Sequence, residues 1–153
     1  RIKALAASGG VIQVDAYSSY LIETPKNAER DAAMAALRAK AGARAKMTEA
    51  ERASFMAELK AIEAKYPVPK ATFEDFMNHL NHALKVAGVD HVGIGLDFDG
   101  GGGVIGLNDA SDYWKISERL LSEGYTRDDL AKIWGGNVLR LLRAAEAAKA
   151  PAT

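Results

Sequence analysis

Apolar residues along the chain switch between two spacings, and the switches mark out its elements. Leu5-Ala6-Ala7-Ser8-Gly9-Gly10 reads as the end of a helix broken by two glycines, and Val11 to Tyr17 then has the β-branched content of a strand. Alternation puts Ile12, Val14 and Ala16 on one face of that strand. Val11, Gln13, Asp15 and Tyr17 fall on the other, which is oddly polar for a buried element. The spacing of Phe73, Phe76, Met77, Leu80 and Leu84 predicts an amphipathic helix that Thr72 caps and Gly88 stops. A second strand follows from Val92 to Phe98, with Val92, Ile94, Leu96 and Phe98 on one face and Gly93, Gly95 and Asp97 on the other. Asp99 and Gly100 to Gly103 then form an irregular loop.

Three short helices close the pattern. The first runs from Ser111 to Ser122 with Tyr113, Ile116, Leu120 and Leu121 inward. Arg127 to Trp134 opens at the capping box Thr126-Arg127-Asp128-Asp129, and Asn137 to Ala148 starts after Gly135-Gly136 with Asn137 as its N-cap. The tail 150–153 is expected to fray. Between the strands, residues 26–70 read as a helical insertion. One helix spans Ala28 to Ala41, buries little beyond Met34 and Leu37, and ends at Gly42. The next starts at the capping box Thr48 to Glu51, places Phe55, Leu59, Ile62 and Tyr66 on one stripe, and stops at Tyr66-Pro67-Val68-Pro69.

Two strands separated by helices are most simply parallel neighbours in an α/β fold. Two strands close no barrel and make a poor core alone, so the chain reads as a piece of something larger. Composition agrees: of 74 apolar residues 29 are alanine, which leaves 45 side chains of substantial size among 153 residues. The 20 Lys and Arg balance 20 Asp and Glu, which removes the electrostatic argument for a nucleic-acid or anionic-membrane partner. The net positive charge of residues 26–70, 10 basic against 6 acidic, is mixed in sign and suits a solvated insertion. No apolar run approaches the roughly 20 residues of a membrane span. The absence of cysteine excludes disulfides, thiolate metal sites and a cysteine nucleophile. The chain opens Arg1-Ile2-Lys3, so its true N-terminus is expected to lie upstream, and its compartment stays open.

In parallel α/β folds chemistry gathers at the carboxyl ends of strands, which is where Asp97 stands. Gly93 and Gly95 below it would leave room for a cavity with an acid at its rim; the plainer reading makes Asp97 a cap of the following loop. Asp15 sits at the same level on the other strand, with Tyr17 and Tyr20 just beyond. If the strands adjoin, two carboxylates and two phenols meet at one mouth and can handle a proton or grip an amine. Ordinary packing is an equally good account of the tyrosines. Asp97-Phe98-Asp99-Gly100 fails as a calcium loop, because Gly101 and Asn108 stand where acids are required. Gly93-Ile94-Gly95 fails as a dinucleotide fingerprint, with Phe98 in place of the last glycine. Gly100 to Gly103 reads as a lid or linker rather than a phosphate cradle. His79 and His82 face away from their helix's apolar stripe without a third ligand, and His91 lies at the amino end of its strand.

Asp90-His91-Val92-Gly93-Ile94-Gly95-Leu96-Asp97-Phe98-Asp99-Gly100-Gly101, preceded by His79-Leu80-Asn81-His82 and Val86-Ala87-Gly88, resembles the C-terminal part of the renal (membrane) dipeptidase family. Gly9-Gly10-Val11-Ile12-Gln13-Val14, Gly106-Leu107, Gly124-Tyr125-Thr126 and Gly135-Gly136-Asn137-Val138-Leu139-Arg140 extend the resemblance over nearly everything outside 26–70. It implies a zinc-dependent (β/α)₈ TIM-type barrel that cleaves dipeptides through a water bridged between two metal ions. This chain would be its C-terminal part, with the last two strands and their helices. It also implies that Asp97 contacts the substrate and carries a proton to the leaving amine, while Tyr17 and Tyr20 lie near the substrate pocket.

Departures from the family qualify the picture. None of His79, His82 or His91 matches a zinc ligand, so the resemblance puts no metal ligand in this chain and makes it inactive alone. Asp15 stands where an amide is usual and adds a fourth candidate for substrate binding. A barrel of this kind needs about 250 residues, so the missing N-terminal part is an expected partner, beside the dipeptide and a second copy in a homodimer. The alternative function is a binding or assembly module that keeps the scaffold without the metals.

Overall fold

In the computed structural model, which describes residues 1–41 and 47–149, each strand is only three residues long. Helix α1 (Ile2–Ala7) ends where Gly9 takes a left-handed φ of 81°, a conformation that costs glycine little. The chain then enters β1 (Ile12–Val14), which pairs in parallel with β2 (Val92–Ile94) in the register Ile12 to Val92, Gln13 to Gly93 and Val14 to Ile94. The pairing is the one the sequence implies. The lengths are not: β1 stops before Asp15, and β2 stops before Gly95.

Helix α2 (Ser18–Leu21) follows β1. Of the helices α3 (Ala28–Ala41) and α4 (Glu49–Lys65), the second starts at the full capping box of Thr48 and Glu51. Helix α5 (Phe73–Ala87) has the same device at Thr72 and Asp75, and Gly88 ends it at φ 84°. After β2 come α6 (Tyr113–Ser122), α7 (Arg127–Ala131) and α8 (Asn137–Ala147), the last two joined by a π-type turn, Lys132–Gly136. The result is a helix-rich α/β chain.

The chain divides into two compact units, Thr24–Pro69 and the remainder. In the first, α3 packs on α4 through Leu37 and Phe55, the buried side chains of the pair. Lys40 pairs with Glu58 at 2.5 Å, and the Tyr66 hydroxyl donates to Glu29. In the other unit, α5 packs against both strands, and Phe76, Met77 and Leu80 join Val92, Leu96 and Ile116 in a core closed to solvent. Such burial supplies roughly 1.5–3 kcal/mol for each large side chain.

Three expectations fail here for physical reasons. Tyr113 (37% exposed) and Leu121 (46%) lie outside the core, because Ile116 and Leu120 already fill the inward face of α6. Asn137 makes no cap bond; its amide is spent on distant carbonyls of the strand layer. The alternation read through Phe98 breaks at Leu96, which has φ 62°. The expected stop at Gly42 and the fraying tail lie outside the described residues.

Candidate active site

Where β2 ends, the backbone turns sharply and presents Asp97. Gly95 N donates to Val14 O at 2.9 Å, the last rung of the ladder. Asp97 N then bonds back to Gly95 O at 2.8 Å across Leu96, and Asp97 itself has φ 57°. Two successive non-glycine residues in the left-handed region cost about 1–3 kcal/mol each. They are held there because Leu96 is fully buried and because the Asp97 carbonyl accepts from Gly100 N at 3.1 Å and Gly102 N at 2.7 Å. Strain of this kind persists where the surroundings over-determine it, and sites of function collect it.

Asp15 leaves β1 at the same level. Asp15 and Asp97 line one cavity of about 450 Å³ with Gln13, Gly95, Asp99 and the rings of Phe98 and Tyr113. Burial pushes the Asp15 carboxyl above its ordinary range, and the charge of Asp97 adds to the rise; the Ala16 backbone works against both. Its Oδ1 is shut off from solvent without a hydrogen-bond partner among the described residues. An acid so placed is poised to accept a proton or to meet a cation.

Of the two glycines read as leaving room for a cavity, Gly95 lines it and Gly93 does not. A Cβ on Gly93 would land on the Gln13 carboxamide, so this glycine makes space for Gln13 rather than for a ligand. A Cβ on Gly100 would land on the Asp97 carboxylate, which folds back over it. The loop from Gly100 is stitched down: beyond the two bonds to Asp97, Gly103 N donates to Ala16 O at 2.9 Å and Ile105 N to Ala71 O at 2.9 Å. Three of its four glycine amides are thus spent inside the protein.

Tyr17 and Tyr20 do not line the cavity. Their rings pack on each other, centroids 5.0 Å apart, with Tyr17 beside Gly101 and Tyr20 largely in solvent. The residues that sequence reasoning passed over are Gln13, Phe98, Asp99 and Tyr113. The polar face of the first strand was the signal for Gln13. For Tyr113 no local signal exists, because a 3₁₀ turn, Ala110–Asp112, sets α6 so that its ring stacks on Phe98 at 5.8 Å and lies tilted against Trp134 at 5.1 Å.

Two of the three histidines hold backbone carbonyls. His79 Nε2 donates to Leu21 O and His91 Nδ1 to Gly10 O, each at 2.9 Å, and His82 is exposed. Among the described residues no three of His, Cys, Asp and Glu are placed to hold a metal ion together. The donors at the cavity are carboxylates and carboxamide without an imidazole, a set that does not fit a zinc pair. No helix among the described residues is long and apolar enough to cross a membrane.

The family model described as membrane dipeptidase, peptidase family M19, matches residues 1–153. A dipeptidase of Claviceps purpurea, tcpJ, is 41% identical over 78 residues, which are 50% of this chain and 18% of that protein. The dipeptidase aclJ of Aspergillus oryzae is 42% identical over 73 residues, 47% of this chain and 17% of its own length. The crystal structure of the probable dipeptidase PvdM from Pseudomonas aeruginosa superposes with a TM-score of 0.60 at 32% identity. It matches 91% of this chain, which spans 38% of that one.

Proposed function

Because the chain belongs to the membrane dipeptidase family, peptidase family M19, we propose that it takes part in hydrolysing the peptide bond of dipeptides and that Asp97 is its catalytic residue. In this reading the chain is the C-terminal part of a (β/α)₈ barrel, with residues 26–70 inserted between its last two strands. The observation that carries the proposal is the strained turn that holds Asp97 at the carboxyl end of β2, over a cavity shared with Asp15.

Hydrolysis adds hydroxide to the carbonyl carbon and a proton to the nitrogen that departs. The Asp97 carboxylate takes the proton given up by the attacking water and hands it to the leaving amine, so a dipeptide splits into two amino acids with no net change at the aspartate. Asp15 and Gln13 bind the substrate beside it. The zinc pair that the resemblance implies finds no fitting donor set among these residues, and its ligands belong to the part of the barrel outside this chain. Tyr17 and Tyr20 take the outer edge of the substrate path.

Asp97→Asn tests the role, since the amide keeps the shape and loses the base. In the complete enzyme, turnover of dipeptides should fall by about 10²–10⁴-fold with the fold unchanged by circular dichroism. Full activity in the variant removes Asp97 from the mechanism. Saturable dipeptide binding by the complete, metal-loaded protein without any cleavage would put a binding module in place of the enzyme.

A further inference from the structure

Leu96 carries much of the strain in the turn that presents Asp97. Its φ of 62° lies in the left-handed region, where any Cβ is strained and glycine is not. The bond from Asp97 N back to Gly95 O at 2.8 Å closes a three-residue turn around it, of the rare strained kind with a positive φ at its centre. Glycines stand at 93, 95 and 100 to 103, yet the two left-handed positions between them hold Leu96 and Asp97.

The side chain of Leu96 offsets that strain. It is 1% exposed and belongs to the core cluster with Phe76, Val92 and Ile116, so this chain's own residues are enough to bury it. Its backbone N reaches Val14 O only at 3.5 Å, where Gly95 N already donates at 2.9 Å, which leaves the side chain as the firmer hold. Burying a whole leucine side chain and straining one residue into the left-handed region are free energies of similar size, so the anchor suffices to keep the turn. The next residue, Asp97, lines the cavity. A reacting group misplaced by about 1 Å loses about 10²-fold in rate, so an anchor one residue away bears on the reaction.

We propose that Leu96 is a positioning residue for Asp97: its buried side chain locks the left-handed turn and so aims the carboxylate. This rests on the reading of Asp97 as the catalytic residue. Two truncations separate aim from packing. Alanine removes the anchor and keeps the strain, so the turn relaxes and the carboxylate moves. Glycine removes both, and a turn without strain needs no anchor. A packing role ranks the variants by volume with glycine worst, whereas the positioning role puts alanine below glycine.

The measurement is kcat and KM of the complete, metal-loaded enzyme, on whichever of Gly-Leu, Ala-Ala and Ala-Phe the wild type cleaves fastest. Leu96→Met, Leu96→Gly and Leu96→Ala are compared, with Asp97→Asn beside them. Leu96→Ala should lower kcat about tenfold with KM within about twofold, while Leu96→Gly stays within about threefold of the wild type. Leu96→Met fills similar space and should match the wild type. Leu96→Val, equally strained at positive φ, takes the alanine's place if that variant does not fold. Wild-type kcat in Leu96→Ala overturns the inference, as does a loss confined to KM. A glycine variant that is slower than the alanine variant, or that does not fold, puts packing before conformation and overturns it too. Full activity in Asp97→Asn, or cleavage of none of the three dipeptides by the wild type, overturns the reading of Asp97 and the inference with it. An inactive Asp97→Asn beside a flat Leu96 series overturns the inference alone.

Discussion

The placement of Asp15 makes stability depend on pH. Burial and the neighbouring Asp97 raise its pKa in the folded protein, so the folded state holds this proton more tightly than the unfolded chain does. Stability therefore falls as pH rises from the ordinary value of 3.8 through the raised one, and the loss is complete above it. Asp15→Asn removes the loss. Its melting temperature should stand above that of the wild type at pH 7, with the gap closing as pH is brought below 3.8. Carboxylates held low by their partners, such as Asp75 on Thr72 and Asp90 on Lys132, lose stability in the opposite direction on acidification, but they are common to both proteins and cancel in the difference. A gap that persists unchanged in acid would mean that the Asn gains from packing rather than from the absent charge.

At the scale of elements, the loop after β2 shows how two similar glycines do different work. A Cβ on Gly100 meets the end of the Asp97 side chain, whereas a Cβ on Gly102 meets the backbone carbonyls of Leu96 and Asp97. Gly100→Ala should therefore turn the carboxylate away and depress dipeptide turnover of the complete enzyme while melting within about 1 kcal/mol of the wild type, because a side chain can rotate. Gly102→Ala has only backbone to displace and should cost about 1–3 kcal/mol in denaturant unfolding. Equal stability losses in the two would contradict this account. The same loop shows what a sequence conceals. Thr48, Thr72 and Thr126 announce their helices because a capping box is written in four consecutive residues. The alternation of Val92, Ile94 and Leu96 reads identically whether the strand continues or turns, and only the burial of Leu96 and the bonds from Gly100 and Gly102 decide that it turns. Asp15 and Asp97 are legible as a pair because parallel pairing follows from element order. Gln13 and Tyr113 are not, since their place depends on a glycine opposite and on the setting of α6.

Over the whole molecule, the two ends of the strand pair divide the labour. The carboxyl end gathers acids around a cavity, and the amino end is tied shut. There the Asn137 amide donates to Val89 O at 2.7 Å and to Val92 O at 2.8 Å, buried to 3% exposure. Arg140 bonds Gly9 O and Asp90 O, and His91 bonds Gly10 O. The run Gly135 to Arg140, one of those that carry the resemblance to an enzyme, thus fixes the register of β1 and β2 from below rather than touching the site. Surface pairs contribute less: Arg119 bridges Glu74 and Glu123, but Glu74 is 55% exposed, and such pairs are worth under about 1 kcal/mol. Asn137→Ala should cost about 2–3 kcal/mol, because two buried carbonyls lose their shared donor. Asn137→Asp separates hydrogen bonding from packing. It preserves the volume but turns an acceptor toward both carbonyls, so it should destabilise at least as much as alanine in denaturant unfolding at pH 7. An aspartate tolerated there would show that volume alone matters at this position, and the register of the strands would have to be held by Arg140 and His91 instead.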